Sequence, residues 1–375
     1  MKIEETLSEL VGINSVSANS NRGIIEYLSA RAEELGMSVR LLPYEDERGV
    51  EKVNMIALAG TESFNDEIEL ALVGHTDTVP FDASWTEALN LTPREEKLYG
   101  RGACDTKAYI AAALKAAETV DLKTLRRPLA LIFTADEEVG CLGAKRLEEA
   151  RAIRARYAIV GEPTSLQPMR AGKGYCLAEV LVHGREGHSA YPATGASAVF
   201  RAARLVSRLE KISEKLKEDA REAFDPPYTT LNVGVIHGGT AKNIIAGECR
   251  FTLEWRPVPG QGAERVLDYL RAAVEEERRL DADFACEIKV IRLDGGVETS
   301  ADSRLVRFLE EAAGRPSGTI AFGTEAPQMM ALGAEAVVFG PGDIRVAHRT
   351  GEFVPVNELH NCAEILKRAV EHFCM

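Results

Sequence analysis

The segment Glu67–Asp77, EIELALVGHTD, decides the fold of this 375-residue chain. Its apolar part, 67–73, predicts a buried strand, and polar residues follow at once. Two similar runs, PLALIFTA (128–135) and YAIVG (157–161), also end just before acidic residues. An Ala-rich helical pattern at 106–120 separates the first run from the second. Continuous apolar strands alternating with helices predict an α/β fold whose sheet is mostly parallel and covered by helices on both faces.

The pattern changes near residue 172. Strand and helix patterns then follow in the order β-α-β-β-α-β, at 175–184, 195–217, 229–237, 247–256, 262–279 and 284–292. This order is that of a ferredoxin-like α+β unit. We therefore predict a catalytic domain formed by 1–171 and 294–375, with a smaller domain, 172–293, inserted into it.

Charge and composition exclude several classes of protein. Acidic residues exceed basic ones by 58 − 45 = 13, which argues against a nucleic-acid partner. No apolar run is long enough to span a membrane, and the N-terminus lacks the apolar core of a signal peptide. The seven cysteines are odd in number and show no CxxC spacing. These features favour a cytoplasmic protein with reduced thiols and no membrane association.

Candidate chemistry lies where the predicted strands end, because ligands bind at the carboxyl ends of strands in open α/β sheets. His75 and Asp77 follow the first strand, and the Asp77 carboxylate is placed to accept from the far ring nitrogen of His75. The alternative is a structural histidine with a turn-forming aspartate. Asp105 precedes the Ala-rich helix, where its alternative role is that of a helix N-cap.

Three consecutive carboxylates, Asp136, Glu137 and Glu138, follow PLALIFTA. They repel one another unless cations are present or the loop is solvated. Glu162 ends YAIVG, and His348 follows the late apolar run AVVFG. The whole set suits two divalent ions of zinc, cobalt or manganese that share one carboxylate, with Glu137 free as the general base. The predicted ligands are His75, Asp105, Glu138, Glu162 and His348.

Five motifs carry a resemblance to the aminoacylase, succinyl-diaminopimelate desuccinylase and carboxypeptidase-G superfamily: GHTDTVP (74–80), GRGACDTKA (100–108), TADEEVG (134–140), GEPT (161–164) and GREGHSAYP (184–192). The resemblance spans nearly the whole chain. It implies that His75 and Glu162 share one metal and Glu138 and His348 the other. It also implies that Asp105 bridges both ions and that Glu137 acts as base and acid. Through its expected contact with His75, Asp77 is counted among the catalytic residues.

Later motifs, among them AFGTEAP (321–327) and GPGDIRVAH (340–348), resemble the acetylornithine deacetylase branch. The resemblance implies that His188 stabilises the transition-state oxygen, often from a partner subunit, and that the inserted domain is a lid that also forms a homodimer. It implies substrate contacts by Asn243 and Arg256. Their alternatives are a surface loop for His188, a turn for Asn243 and a strand-end salt bridge for Arg256.

The expected function is therefore removal of the acetyl group from an N-acetylated small amino acid, with N2-acetyl-L-ornithine as the expected substrate. Glu325 is a candidate partner for the side-chain ammonium, and its alternative is a surface-loop position. Three rival functions stay open. They are a deacylase for N-acetylcitrulline or another acyl amino acid, a dipeptidase or carboxypeptidase of the same fold, and a non-catalytic metal-stabilised scaffold.

Overall fold

The computed structural model describes residues 1–375, which divide into two compact units. Unit 1 comprises Met1–Arg170, Thr299–Gly318 and Thr324–Met375, and unit 2 comprises Ala171–Glu298 and Thr319–Gly323. Unit 2 thus also contains 171, 294–298 and 319–323, which the sequence analysis assigned to the catalytic domain. A hydrogen bond helps to hold the segment 319–323 in unit 2: Arg256 Nη1 donates to the carbonyl oxygen of Ala321 at 3.1 Å.

The strands are β1 (Ser38–Glu45), β2 (Glu51–Ala59), β3 (Glu67–His75), β4 (Thr92–Arg94), β5 (Lys97–Tyr99), β6 (Leu129–Thr134), β7 (Arg154–Val160), β8 (Met169–Gly172), β9 (Tyr175–His183), β10 (Gly187–His188), β11 (Thr230–Gly238), β12 (Ile244–Ile245), β13 (Glu248–Arg256), β14 (Ala285–Asp294), β15 (Val297–Glu298), β16 (Gly318–Ile320), β17 (Glu335–Val338) and β18 (Phe353–Pro355).

The α-helices are α1 (Ile3–Gly12), α2 (Arg22–Glu34), α3 (Lys107–Thr119), α4 (Leu142–Glu149), α5 (Ala198–Leu216), α6 (Arg265–Leu280), α7 (Arg304–Ala313), α8 (Ala326–Ala331) and α9 (Val356–Cys374). Short 3₁₀ turns lie at Leu122–Thr124, Pro192–Thr194 and Ile344–Val346. None of the helices is both long and apolar enough to cross a membrane.

The main sheet of unit 1 has the order β1-β2-β6-β3-β7-β17-β8. Its four central strands, β6, β3, β7 and β17, pair in parallel, and the flanking pairs are antiparallel. Strand β6 is buried along its whole length, and β3 is buried from its second residue onward. Burial on both faces explains why these strands are apolar without alternation. The parallel strands bring the ends of β3, β6 and β7 to one edge.

Helix α3 packs on this sheet and against α9. Alanine fills most of its interior positions, which lets the helix approach its neighbours closely, and ten of its thirteen residues are buried. A large apolar core formed by α1, α2, α3, α9 and the strands lies beneath it. The start of α3, where Asp105 and Lys107 lie, is therefore held by a rigid element.

Unit 2 contains a four-stranded antiparallel sheet in the order β11-β13-β9-β14. Successive residues of β9 alternate strictly between half-buried and buried, and the buried face packs on α5 and α6. With its chain order β9-α5-β11-β13-α6-β14, the unit has the ferredoxin-like arrangement.

The predicted α/β class with a mostly parallel central sheet is confirmed. The sequence analysis did not identify β2, although EKVNMIALA forms a buried strand inside the main sheet. It also missed the short helices α4 and α8 and the three-stranded sheet β18-β5-β4. Elements of three to eight residues carry too few periodic positions for the pattern to identify them.

Candidate metal centre

His75 is the last residue of β3, where its side chain is 1% exposed. Its Nε2 lies 3.0 Å from Asp105 Oδ1. Its Nδ1 lies 3.1 Å from the backbone carbonyl oxygen of Asp77 but 3.6 Å from Asp77 Oδ1. The expected carboxylate partner of His75 is thus replaced by a backbone oxygen. That contact still orients the ring so that Nε2 faces the neighbouring carboxylates.

Asp105 precedes α3, but Thr106 occupies the N-cap position and no side chain caps the helix. The N-cap alternative for Asp105 is therefore wrong. Each of its carboxylate oxygens faces a different histidine. Oδ1 lies 3.0 Å from His75 Nε2, and Oδ2 lies 3.2 Å from His348 Nε2. This is the arrangement that a carboxylate shared by two ions requires.

The three acidic residues after β6 have different contacts. Asp136 has a left-handed backbone (φ 56°) and forms a buried ion pair with Lys52 at 2.8 Å. Glu138 lies 3.1 Å from His348 Nε2. The carboxylate of Glu137 instead groups with His75 and Glu162. Asp136 is therefore structural, and the solvated-loop alternative for the trio is wrong.

Glu162 follows β7 and is 4% exposed. The preceding Gly161 has no room for a side chain, since a Cβ would lie 2.1 Å from Cδ1 of Tyr109. The Tyr109 hydroxyl donates to the carbonyl oxygen of Ile159 at 2.7 Å, which fixes the ring. Close packing of α3 on β7 thus fixes the point at which Glu162 leaves the strand.

His348 has a left-handed backbone (φ 59°) and a half-exposed side chain. It comes from the loop between the 3₁₀ turn Ile344–Val346 and β18. Its Nε2 contacts both Glu138 and Asp105, so it completes a group on the far side of Asp105 from His75.

The electrostatics of this cluster follow from burial and close charges. Burial, with the charges of Glu138 and Asp105 adding to it, raises the pKa of Glu137 to about 8. Burial also raises the pKa of Glu138 and of Glu162. Hydrogen bonds to Asp105 and Glu138 raise the pKa of His348 to about 10. Burial opposes ionisation of Asp105, but hydrogen bonds to His348 and His75 lower its pKa overall.

The donor set fits two divalent cations. Ligand atoms of His75, Asp105 and Glu138 lie within 4.8 Å of one another, as do those of His75, Glu137 and Glu162. Two metal ions carry four positive charges, which match the four carboxylates Asp105, Glu137, Glu138 and Glu162. Imidazole and carboxylate donors suit zinc, cobalt and manganese.

Three predicted residues lie in unit 2. His188 is exposed, and its Nδ1 accepts from the Ala190 N–H at 3.1 Å, so its Nε2 carries the proton of the neutral ring. Asn243 is exposed beside it, and its backbone carbonyl oxygen accepts from the Ser189 N–H at 3.1 Å. Arg256 pairs with Glu254 at 2.8 Å, as the salt-bridge alternative expects, and also donates to the Ala321 carbonyl oxygen.

Glu325 lies in unit 1 and is 1% exposed, so the surface-loop alternative is wrong. One carboxylate oxygen accepts from the Thr134 hydroxyl, and the other has no hydrogen-bond partner in the protein. Burial raises the pKa of Glu325 to about 7. A buried acceptor without a partner is costly to a fold, and it is available to a donor from a ligand.

The sequence analysis missed several supporting residues. The carboxylate of Glu352 accepts from the backbone N–H groups of Cys104 and Asp105, and the Ser17 hydroxyl donates to Asp77. The buried ammonium of Lys52 holds Asp136. Each contact joins residues at least 60 positions apart, and no local pattern indicates such a pair. An acidic residue only four positions after His348 was the one available signal for Glu352.

The fold and the paired groups of ligands define a metal-dependent hydrolase. The sequence profile of peptidase family M20/M25/M40 matches residues 71–372, and the chain belongs to this family. An acetylornithine deacetylase of Myxococcus xanthus is 56% identical over 373 residues, covering 99% of this chain and 97% of the relative. One of Klebsiella pneumoniae (strain 342) is 35% identical over 382 residues, with the same coverage of each chain.

Solved structures support the fold. A tripeptidase of Staphylococcus aureus has a TM-score of 0.77 at 23% identity, covering 99% of this chain and 97% of that one. A metallo-carboxypeptidase of family M20 from Sulfolobus solfataricus has a TM-score of 0.76 at 19% identity, covering 100% and 99%. The resemblance stated from the motifs is thus confirmed, as is the expectation of a metal-dependent hydrolase. The roles of single residues stay predictions.

Proposed function

We propose that this chain removes the acetyl group from N2-acetyl-L-ornithine, giving L-ornithine and acetate, as a cytoplasmic enzyme of arginine biosynthesis. The choice of substrate is supported by the acetylornithine deacetylases to which the chain is similar over almost its full length. One structural observation carries the chemistry. Glu137 is not one of the proposed metal ligands, yet its carboxylate lies close to two of them, His75 and Glu162.

Two divalent ions, zinc before cobalt or manganese, are the proposed cofactors. His75 and Glu162 hold one ion, Glu138 and His348 hold the other, and Asp105 serves both. The contacts of Asp105 with the two histidines, at 3.0 and 3.2 Å, support this division. When bound, such ions polarise a carbonyl group and lower the pKa of water.

Glu137 acts first as base and then as acid. It takes a proton from the attacking water, and the amide carbonyl carbon becomes tetrahedral. It then gives that proton to the departing α-nitrogen as the C–N bond breaks. Burial of Glu137 and its hydrogen bond from the Cys141 thiol at 3.2 Å support a fixed position for this carboxyl.

Unit 2 serves as the lid and supplies three of the other contacts, from His188, Arg256 and Asn243. The Nε2–H of His188 donates to the developing oxyanion, which is where a fixed donor contributes most. Arg256 grips the substrate carboxylate with its planar guanidinium, and Asn243 contributes an amide. Glu325, with one buried oxygen free of partners, accepts from the side-chain ammonium of ornithine.

We further propose a homodimer through unit 2. Strand β11 is an edge strand, and its Val235 and Ile236 are 48% and 49% exposed. Phe200, near the start of α5, is 73% exposed. An apolar edge strand with unpaired backbone groups is a template for pairing with a second copy.

Light scattering tests the dimer. Ile236→Lys and Phe200→Glu are expected to give monomers. The matched control is Val290→Lys on β14, the opposite edge of the same sheet, where Val290 is 41% exposed. That variant should stay dimeric. A wild-type monomer, or a dimer that only Val290→Lys disrupts, would contradict the assignment.

The activity test is acyl release by zinc- or cobalt-loaded protein from N-acetylornithine, N-acetylcitrulline, N-acetylmethionine, succinyl-diaminopimelate and a dipeptide. Preference for N-acetylornithine, lost on chelation, is the expected result. Preference for another acyl amino acid would keep the chemistry and overturn the substrate. Cleavage of the dipeptide alone would favour a peptidase, and metal binding without any hydrolysis would favour a scaffold.

Glu137→Gln separates catalysis from metal binding. We expect kcat to fall by roughly 10²–10⁴-fold while two ions still bind, because the amide cannot transfer the proton. Glu149→Gln, at an exposed position of α4, is the matched control and should keep wild-type kcat. Full activity of Glu137→Gln would refute its role.

A further inference from the structure

Glu352 joins the two loops that deliver Asp105 and His348. It is 1% exposed and lies between His348 and β18. Its Oε1 accepts from the backbone N–H of Cys104 at 2.9 Å and from that of Asp105 at 3.1 Å. One carboxylate oxygen therefore fixes the backbone from which the Asp105 side chain projects.

The backbone of Glu352 makes a second connection between the same loops. Its carbonyl oxygen accepts from the Gly100 N–H at 3.1 Å, and the next residues, β18, pair with β5. His348 is only four residues before Glu352, so the position of its loop depends on this anchor. The two loops bring Asp105 Oδ2 to 3.2 Å from His348 Nε2.

The other carboxylate oxygen has a different partner. Oε2 accepts from Arg101 Nη1, and Arg101 is itself 3% exposed, with its guanidinium 5.3 Å from the ring of Trp85. The charge of Glu352 is thus balanced by Arg101, while the amides of the Asp105 loop are bound by Oε1 alone. Balancing charge and holding the loop can therefore be separated by mutation.

We propose that Glu352 is a positioning residue that holds Asp105 against His348 and thereby sets the affinity for the ion on the Glu138–His348 side. This inference rests on the proposed two-metal function. His75 and Glu162 come from strand ends that Glu352 does not contact. The ion on their side should therefore depend less on Glu352, because only the shared Asp105 connects it to that residue.

Two double variants isolate the acceptor atom. Arg101→Met/Glu352→Gln removes the ion pair but keeps an oxygen that can accept from Cys104 and Asp105. Arg101→Met/Glu352→Met has a side chain of similar length and lacks that oxygen. Calorimetric titration of each metal-free protein with Zn²⁺ gives the number of ions bound and the affinity for each.

The glutamine variant should bind both ions as the wild type does. The methionine variant should bind the second ion roughly 10–100-fold more weakly, the usual effect of removing a group that orients a ligand. Equal affinities for the two variants, whether both unchanged or both weakened, would overturn the proposal. A wild-type protein that binds fewer than two ions would instead refute the two-metal function itself.

Glu277→Gln controls for a general loss of stability. Glu277 is also 1% exposed, and it accepts from Arg204 at 2.7 Å and Arg208 at 2.8 Å within unit 2. This variant should lower the melting temperature and leave both zinc affinities unchanged. Weakened zinc binding in Glu277→Gln, equal to that of the methionine variant, would show that stability and not position explains the effect.

Hydrogen exchange of the wild-type protein gives a second test that needs no variant. Coupling between sites is reciprocal, so metal must strengthen the hydrogen bonds that help to bind it. The amides of Cys104 and Asp105 should exchange more slowly in zinc-loaded than in chelated protein, relative to the α5 amides of unit 2. Unchanged exchange at both amides would overturn the proposal.

Discussion

Asp77 accepts the backbone N–H of Glu137 at 3.0 Å through Oδ1. Its Oδ2 accepts from the Glu138 N–H at 3.2 Å and from the Ser17 hydroxyl at 2.7 Å. The carboxylate of Asp77 therefore fixes the loop that carries the proposed base and the adjacent ligand. Its backbone carbonyl orients His75. One residue thus connects the ends of β3 and β6.

Asp77→Asn is expected to lower kcat by roughly 10–100-fold with a smaller change in KM. The asparagine amide keeps one acceptor oxygen. Its NH₂ group replaces the other oxygen and faces a backbone N–H, so two donors meet and the Glu137 loop shifts. Steady-state kinetics with N-acetylornithine measures this. Asp66→Asn, at an exposed aspartate that accepts from Thr61, is the control and should match the wild type. Wild-type kcat for Asp77→Asn would contradict this role.

Lys52→Met is expected to lower the free energy of unfolding by about 3–5 kcal/mol, because it leaves the buried charge of Asp136 without its partner. Lys52 is 1% exposed and also donates to the carbonyl oxygens of Ser17 at 2.7 Å and Asn19 at 2.9 Å. Urea-induced unfolding of the metal-free protein measures the loss.

The double variant Lys52→Met/Asp136→Asn is the control for this ion pair. Removing both charges should recover more than half of the lost stability, since no unpaired charge remains. Equal losses in the single and double variants would show that the ion pair does not account for the effect.

The sequence predicted the central strands because burial on both faces leaves a long apolar run, as in β3 and β6. Strand β2, which lies between β1 and β6, was harder to identify. Strand β2 begins with Glu51 and Lys52 and contains Asn54, all of which find specific partners in the fold. Polar residues that are satisfied by tertiary contacts interrupt the apolar pattern, so local periodicity does not reveal the strand.

Four of the predicted ligands come together because they end or follow a strand or precede a helix, and the sheet brings those ends to one edge. The fifth, His348, is brought there by the loop before β18. The residues that hold them were not predictable in the same way. Ser17, Lys52 and Glu352 act across tens to hundreds of residues of sequence. Their roles depend on pairings that only the folded chain creates.

Zinc binding should release protons and strengthen as pH rises. In the metal-free protein, burial raises the pKa of Glu137 to about 8, and hydrogen bonds to carboxylates raise that of His348 to about 10. Both groups therefore hold a proton at pH 7. A bound ion favours neutral imidazole and ionised carboxylate, so the protons of Glu137 and His348 leave on binding, and the raised pKa values of His75 and Glu162 add to the release.

Calorimetry at pH 7 in two buffers with different ionisation enthalpies measures this release. The apparent affinity should rise until the pH passes the higher of the two pKa values. The variant Glu137→Gln should release about one proton fewer, because its amide at position 137 does not titrate. Binding enthalpies that do not depend on the buffer would refute the expectation.

Glu325→Gln is expected to stabilise the protein at pH 8 and to have little effect at pH 4.5. Burial raises the pKa of Glu325 from 4.5 to about 7, so the folded protein binds more protons than the unfolded chain between these values. The stability of the wild type therefore falls as pH rises through this window, by up to ~3 kcal/mol. The glutamine is neutral at every pH, so the variant does not lose this stability.

Urea-induced unfolding of metal-free protein between pH 4.5 and 8 measures the difference. The control Glu335→Gln, at an exposed position on β17, should show a constant difference from the wild type. A difference in stability between Glu325→Gln and wild type that stayed constant with pH would contradict this prediction. It would mean that the Glu325 carboxyl is ionised over the whole range.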